Sequence, residues 1–295
     1  MTTKKILCPI DFSPGARHAM CVAVQLASAI DAEIVLFHAW YIPSVAFSTE
    51  GIFPSDALAE MRGHARDQLA AAERDAIALG ARRLETRFVE GQPWQAIIAA
   101  LEDASVDLVV IGTHGRTGLA RVLLGSVAEK IVRHAPCSVL TVGPSAQVAP
   151  FVRALCPVDF SEQTAYALHL AADIVRPAGA SASLSLLHAI EAPGPLTGEP
   201  VRTEFLGALD QAGRAALEAW AVQIKPELPG RVTTQIRIGY PGAQTLAALD
   251  DDPQIDVVVM ASHGRTGVAR ILLGSVAEKL VRHARCPVLV ARKRG

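Results

Sequence analysis

"VDLVVIGTHGRTGLARVLLGSVAEK", Val106–Lys130, runs from an unbroken apolar, β-branched stretch into a segment of spaced glycines, then to Ser126 at the head of a helical pattern. A short apolar run bounded by glycine reads as a strand buried on both faces, which is the habit of a parallel sheet. Nearly the same stretch returns at Ile255–Lys279 as "IDVVVMASHGRTGVARILLGSVAEK", with the octapeptide LLGSVAEK unchanged at 123–130 and 272–279.

The repetition spreads outward in unbroken order. "ILCPIDFS" (Ile6–Ser13) returns as "ALCPVDFS" (Ala154–Ser161), "VLFHA" (Val35–Ala39) as "LSLLHA" (Leu184–Ala189), and "VEGQPWQAI" (Val89–Ile97) as "RIGYPGAQTL" (Arg237–Leu246). Asp11 and Asp159 lie 148 positions apart, Gly115 and Gly264 149, His38 and His188 150. So constant an offset means tandem duplication. It predicts two domains, 1–143 and 151–295, joined by a polar linker at 144–150 within "GPSAQVAP".

Each copy reads as alternating strands and helices. Residues 4–10 and 152–158 are short apolar strands, and a helix follows the first with Ser13 as N-cap and Pro14 at its first position. Ala32–Trp40 gives the second strand. Asp56–Leu79 and Thr203–Ile224 have amphipathic helical spacing, while Leu84–Gly91 and Val232–Gly239 alternate like half-buried edge strands. Pro93 and Pro241 open short helices. "VDLVVIG", "IDVVVMA", "SVLTV" and "PVLVA" supply the remaining strands. The fold expected of each copy is α/β, an open parallel five-stranded sheet with helices on both faces.

Bulk properties narrow the function. The chain has 295 residues, 51% of them hydrophobic, and a formal net charge of −1. Near-neutrality with no basic run beyond the terminal Arg292-Lys293-Arg294 gives no case for nucleic acid. No apolar run approaches the roughly 18 residues of a membrane helix, so no membrane partner is expected. The start, "MTTKKILCPIDFS", lacks a secretory pattern, and five cysteines without a CxxC pair read as a reduced, cytoplasmic protein. Six of nine histidines recur in pairs, His38/His188, His114/His263 and His134/His283, but on separate elements, which argues against zinc. The paired cysteines Cys8/Cys156 and Cys137/Cys286 read as small packing residues, with redox sensing as the alternative.

The chemistry is expected after the fourth strand. Glycines at 112, 115 and 125 with Ser126 form G-x2-G-x9-G-S, which is neither the P-loop nor the dinucleotide fingerprint. Backbone amides of such a loop, with the head of a helix, make an anion seat. Ser126 with Glu129, and Ser275 with Glu278, also fit a capping box, a role compatible with anion binding. Copy two has Ala261 where the first glycine stands. That costs stability if the backbone needs positive φ there, and matters only by its methyl group if it does not.

With these residues in view, the chain resembles the universal stress protein family over nearly all of both copies. The resemblance implies strand order 3-2-1-4-5 and ATP as ligand; Mg2+ is then expected with the phosphates, since no carboxylate cluster suggests a protein-only metal site. It places Asp11 and Asp159 at the adenosine end, helped by backbone at Ala39 and Ala189. Gly112, Gly115, Gly125 and Ser126 would hold phosphates in copy one, and Gly264, Gly274 and Ser275 in copy two, with Arg116 and Arg265 adding charge-assisted bonds. It also implies pairing of two domains through the last strand, here possible within one chain, with a further homodimer open. The function expected is a nucleotide-responsive stress sensor or adaptor acting on a protein partner. A slow ATP hydrolase and a scaffold that has lost nucleotide binding are the alternatives. Segments 41–55 and 190–202, unlike between the copies and rich in proline, read as lids.

Overall fold

The computed structural model describes residues 4–42, 55–103, 106–113, 115, 124–144, 146, 148, 150–191, 199–228, 230–263 and 273–294. Most of the segments read as lids lie outside the described residues, as do His114, Arg116, Gly264 and Arg265. The chain divides into two compact units, Thr3–Pro144 and Ser145–Gly295.

In the first unit the order is β1 (Lys5–Pro9), α1 (Pro14–Ile30), β2 (Glu33–Trp40), α2 (Ser55–Ala78), β3 (Leu84–Glu90), α3 (Pro93–Asp103), β4 (Leu108–Gly112), α4 (Ser126–His134) and β5 (Ser138–Val142). All pairings are parallel: β1 lies between β2 and β4, β3 lies outside β2, and β5 lies outside β4. The second unit repeats this with β6 (Arg153–Pro157), α5 (Glu162–Val175), β7 (Ser183–Ile190), α6 (Glu199–Ile224), β8 (Arg231–Ile238), α7 (Pro241–Asp251), β9 (Val257–Ala261), α8 (Ser275–His283) and β10 (Val288–Ala291). There β6 lies between β7 and β9, with β8 and β10 outside them.

The central strands form because their residues are apolar on both faces. Ile6, Leu7, Cys8, Leu108, Val109 and Val110 are fully buried, as are Leu155, Cys156, Val257, Val258 and Val259. Truncating one of the larger of these, Leu108 for instance, costs about 2–5 kcal/mol. Helix α1 covers one face with Ala16, Ala19, Met20, Ala23, Val24 and Ala27, a stripe at spacings of three and four. The helix starts at the Ser13 cap, whose side chain accepts from the Ala16 amide at 3.2 Å, and ends where Asp31 turns left-handed at φ 54°. The outer strand β3 differs from the expected alternation, while β8 alternates over its first four residues. Leu84–Val89 are all half-buried, with β2 along one edge of the strand and α2 packed against it.

A carboxylate before β4 fixes the register. Asp107 accepts the amides of Lys4 and Lys5 at 2.8 and 3.0 Å, which pins the start of β1 beside β4. Asp256 does the same for Val152 and Arg153 at 2.7 and 3.1 Å. Burial raises the Asp256 carboxyl above the usual carboxylate range, against the lowering effect of these bonds. Both aspartates sit at the amino ends of the strands, so the carboxyl ends are left for a site.

Candidate functional site

In the first unit the chain leaves β1 for β2 and β3 on one side and returns to β4 and β5 on the other. Ligands in open α/β sheets gather at the carboxyl ends of strands at such a switch point. A cavity of about 930 Å³ opens there, lined by the ends of β1, β2 and β4, the heads of α1, α3 and α4, and Met61, His64 and Gln68 of α2. That volume lies at the upper end of the roughly 300–1,000 Å³ usual for small-molecule sites.

One wall is the head of α4. Its N-cap is Gly125, at φ −57° and ψ 140°, and no side chain caps it. The first intrahelical bond runs from the Glu129 amide to the Gly125 carbonyl at 2.9 Å. The amides of Ser126, Val127 and Ala128 therefore precede the helical ladder, and all three residues line the cavity. This corrects the capping-box reading: Ser126 is the first helical residue, and Glu129 pairs with Arg133 at 3.3 Å. The same holds for Gly274, Ser275 and Glu278, whose carboxylate meets Arg282 at 2.9 Å. A helix head without a side-chain cap keeps its donors and the positive end of its dipole for an anion.

Asp11 lines the same cavity. Its carboxylate accepts the Ser13 amide at 3.0 Å and lies so close to Gly115 that a Cβ there would stand 2.8 Å from Oδ2. Gly112 is glycine for a related reason. Its φ is not in the left-handed region, but a Cβ would meet the Gly15 carbonyl oxygen at 2.9 Å. The Gly125 amide bonds the Thr113 carbonyl at 2.7 Å, closing the ends of the loop. Ala39 lines the cavity as well. Asp11, Ala39, Gly112, Gly115, Gly125 and Ser126 are thus brought together around one space.

In the second unit Asp159 accepts the Ser161 amide at 3.0 Å and hydroxyl at 2.6 Å, and the Thr164 hydroxyl as well. Thr164 occupies the position of Ala16 in the first unit. Ala261 is nearly buried and has no positive φ, so the strained-backbone reading of that position is ruled out. Gly274 and Ser275 repeat the head of the last helix, and Ala189 is nearly buried at the end of β7.

The sequence reading did not single out Phe12 and Phe160. Both stand at positive φ, 66° and 63°, next to the two aspartates. For a bulky residue that costs about 1–3 kcal/mol, and such strain collects at functional sites. Each ring packs on a histidine, His38 at 4.4 Å and His188 at 4.6 Å between centroids. The recurrence of Asp-Phe-Ser and of His-Ala in both copies was the available signal. Among the described residues no group of His, Cys, Asp or Glu is placed to hold a metal ion. Burial pushes the Cys8 thiol up to about 12 and the Cys286 thiol up to about 11, which favours packing over redox roles. No described helix is long and apolar enough to cross a membrane.

The sequence profile of the universal stress protein family matches twice, over residues 2–143 and 150–292. The chain belongs to the universal stress protein family. A universal stress protein of Methanocaldococcus jannaschii is 34% identical over 141 residues, 47% of this chain and 81% of that protein. A solved universal stress protein from Archaeoglobus fulgidus overlays the whole of both chains at a TM-score of 0.69 and 22% identity, a likeness of fold. A functionally unknown protein of Pseudomonas aeruginosa covers 99% of this chain and 93% of its own at 0.63 and 18%. A universal stress protein fold repeated in tandem therefore frames the cavity.

Proposed function

We propose that the first unit binds ATP and that the chain acts as a nucleotide-responsive adaptor of the universal stress protein family. The observation that supports this is the side-chain-uncapped head of α4 facing a cavity that also holds Asp11. The Ser126, Val127 and Ala128 amides suit a polyphosphate, and Asp11 suits the hydroxyls of ribose or the adenine amine. A carboxylate beside phosphates would repel them, so in this reading the phosphates gather at the amides of Ser126, Val127 and Ala128, and Gly115, which abuts the Asp11 carboxylate, lies on the side nearer adenosine. Arg116 follows the second glycine and adds charge to the loop in this reading. Mg2+ enters with the β- and γ-phosphates and neutralises part of their charge. Asp159, Ala189, Gly264, Arg265, Gly274 and Ser275 form the corresponding set in the second unit.

The reading is of binding without efficient turnover. Asp11 is the one carboxylate among the described residues that line the cavity, and this reading assigns it to adenosine. Phosphoryl transfer asks for a group that places the attacking water near the terminal phosphate. Mass spectrometry of freshly purified, denatured protein should find ATP at one or two molecules per chain. Equilibrium dialysis of nucleotide-stripped protein supplies the decisive arm: no retained ATP removes this proposal. A micromolar Kd corresponds to about 8 kcal/mol.

A further inference from the structure

Ile10 is held at both of its backbone groups by the end of β2. Its amide donates to the Phe37 carbonyl at 2.9 Å, and its carbonyl accepts from His38 Nδ1 at 2.7 Å. The imidazole is only 3% exposed, so that bond is made out of water. One face of the ring packs on Phe12, the residue at positive φ, and Phe88 lies at 5.6 Å with the Arg66 guanidinium 4.4 Å from its ring. Between Ile10 and Phe12 stands Asp11. The second unit repeats the device: the Val158 amide meets the Leu187 carbonyl at 2.7 Å, His188 Nδ1 meets the Val158 carbonyl at 2.7 Å, and Phe160 packs on His188.

A strained turn needs neighbours that over-determine it. Parallel pairing of β1 with β2 ends with the Ile10 amide on the Phe37 carbonyl, so from Asp11 onward the ladder no longer fixes the backbone. We infer that His38 is a positioning residue that locks the Ile10–Phe12 turn and so aims the Asp11 carboxylate into the cavity. Neither zinc ligation nor general packing explains the pattern. A packing residue needs no Nδ1 donor aimed at a carbonyl one residue before the functional acid, twice in one chain. The assignment rests on the ATP reading for its consequence, but the lock itself is testable without nucleotide.

The test uses the full chain and two variants. His38→Phe keeps a ring and removes the donor; His38→Asn keeps a donor near the place of Nδ1. In the free protein, the Ser13 amide bonded to Asp11 should exchange roughly tenfold faster in His38→Phe, as when a buried hydrogen bond is lost, while the core amide of Val109 holds its rate. ATP affinity should fall by a similar factor, and His38→Asn should recover most of both. Unchanged Ser13 exchange overturns the lock, and so does equal loosening of Ser13 and Val109, which would mean general destabilisation. A loosened turn with undiminished ATP affinity overturns the assignment of His38 to the site. If wild-type protein retains no ATP, the binding proposal falls by itself, and Ser13 exchange still decides the lock.

Discussion

Gly112 and Gly15 approach so closely that a Cβ on Gly112 would lie 2.9 Å from the Gly15 carbonyl oxygen and 3.4 Å from the Ala16 amide nitrogen. The first turn of α1 thus rests on the end of β4 with no side chain between them. That turn carries the Ser13 cap and adjoins the Asp11 acceptor, so the contact sets the height of one wall of the cavity. Gly112→Ala must push backbone against backbone. We expect a loss of about 1–3 kcal/mol in urea unfolding, in line with other overpacked sites, together with weaker ATP binding. In the second unit Ala261 stands opposite a helix that begins Glu162-Gln163 in place of Pro14-Gly15. Ala261→Gly should therefore change stability by only about 1 kcal/mol, the cost of glycine's added chain freedom.

Gly115 meets the flexible end of a side chain and not backbone. A methyl group there displaces the Asp11 carboxylate, and a second carboxylate repels both it and any phosphate. Gly115→Ala should weaken ATP binding by roughly tenfold, and Gly115→Asp by roughly a hundredfold or more, about 3 kcal/mol. Calorimetric titration of the full chain reads both. Equal affinities for the wild type and Gly115→Asp would remove the loop from the site.

The parallel α/β fold was legible because its signals are local. Apolar strands such as "VVIG" and "VVVM" need no partner to be recognised, and the tandem offset gave each element two readings. What escaped was set by contacts distant in sequence. Ser126 looked like a cap because Glu129 follows at the right spacing, yet Gly125 turns first, since its amide is claimed by Thr113. His38 was visible as a repeated histidine, but its task depends on the Ile10 carbonyl, 28 positions away. Asp107 falls inside "VDLVVIG", which reads simply as a strand, although it binds two amides more than 100 positions away.

Asp107 gives a stability test independent of nucleotide. Two amides donate to one carboxylate oxygen at the amino end of the sheet, and hydrogen bonds to a charged group contribute about 1.5–3 kcal/mol. Asp107→Ala leaves the Lys4 and Lys5 amides to water or to no partner and frees the start of β1. We expect about 2–3 kcal/mol of destabilisation by urea unfolding, with Asp107→Asn intermediate because its carbonyl oxygen still accepts. A loss below about 0.5 kcal/mol, the size of a neutral surface change, would show that β1 is registered by its strand pairing alone.

Alkaline pH isolates the buried thiols. Cys8 is fully buried, and desolvation is the main cause that lifts its pKa from 9.0 to about 12, with the neighbouring Cys21 adding to the rise. Its folded pKa thus lies above its unfolded one, so the folded state holds the proton more tightly. The stability this provides is fully present below about pH 9 and drains away as pH rises toward 12. Cys8→Ala should flatten that part of the stability curve, at a cost in packing at neutral pH. The same protonation predicts the order of alkylation at pH 8, because the thiolate is the nucleophile. Cys21, partly exposed, should be modified before Cys8, Cys156 and Cys286, although its own raised pKa slows it relative to a free thiol. Peptide mapping after iodoacetamide treatment of the native protein gives the order, and early labelling of Cys8 would place β1 in a looser setting than its burial indicates.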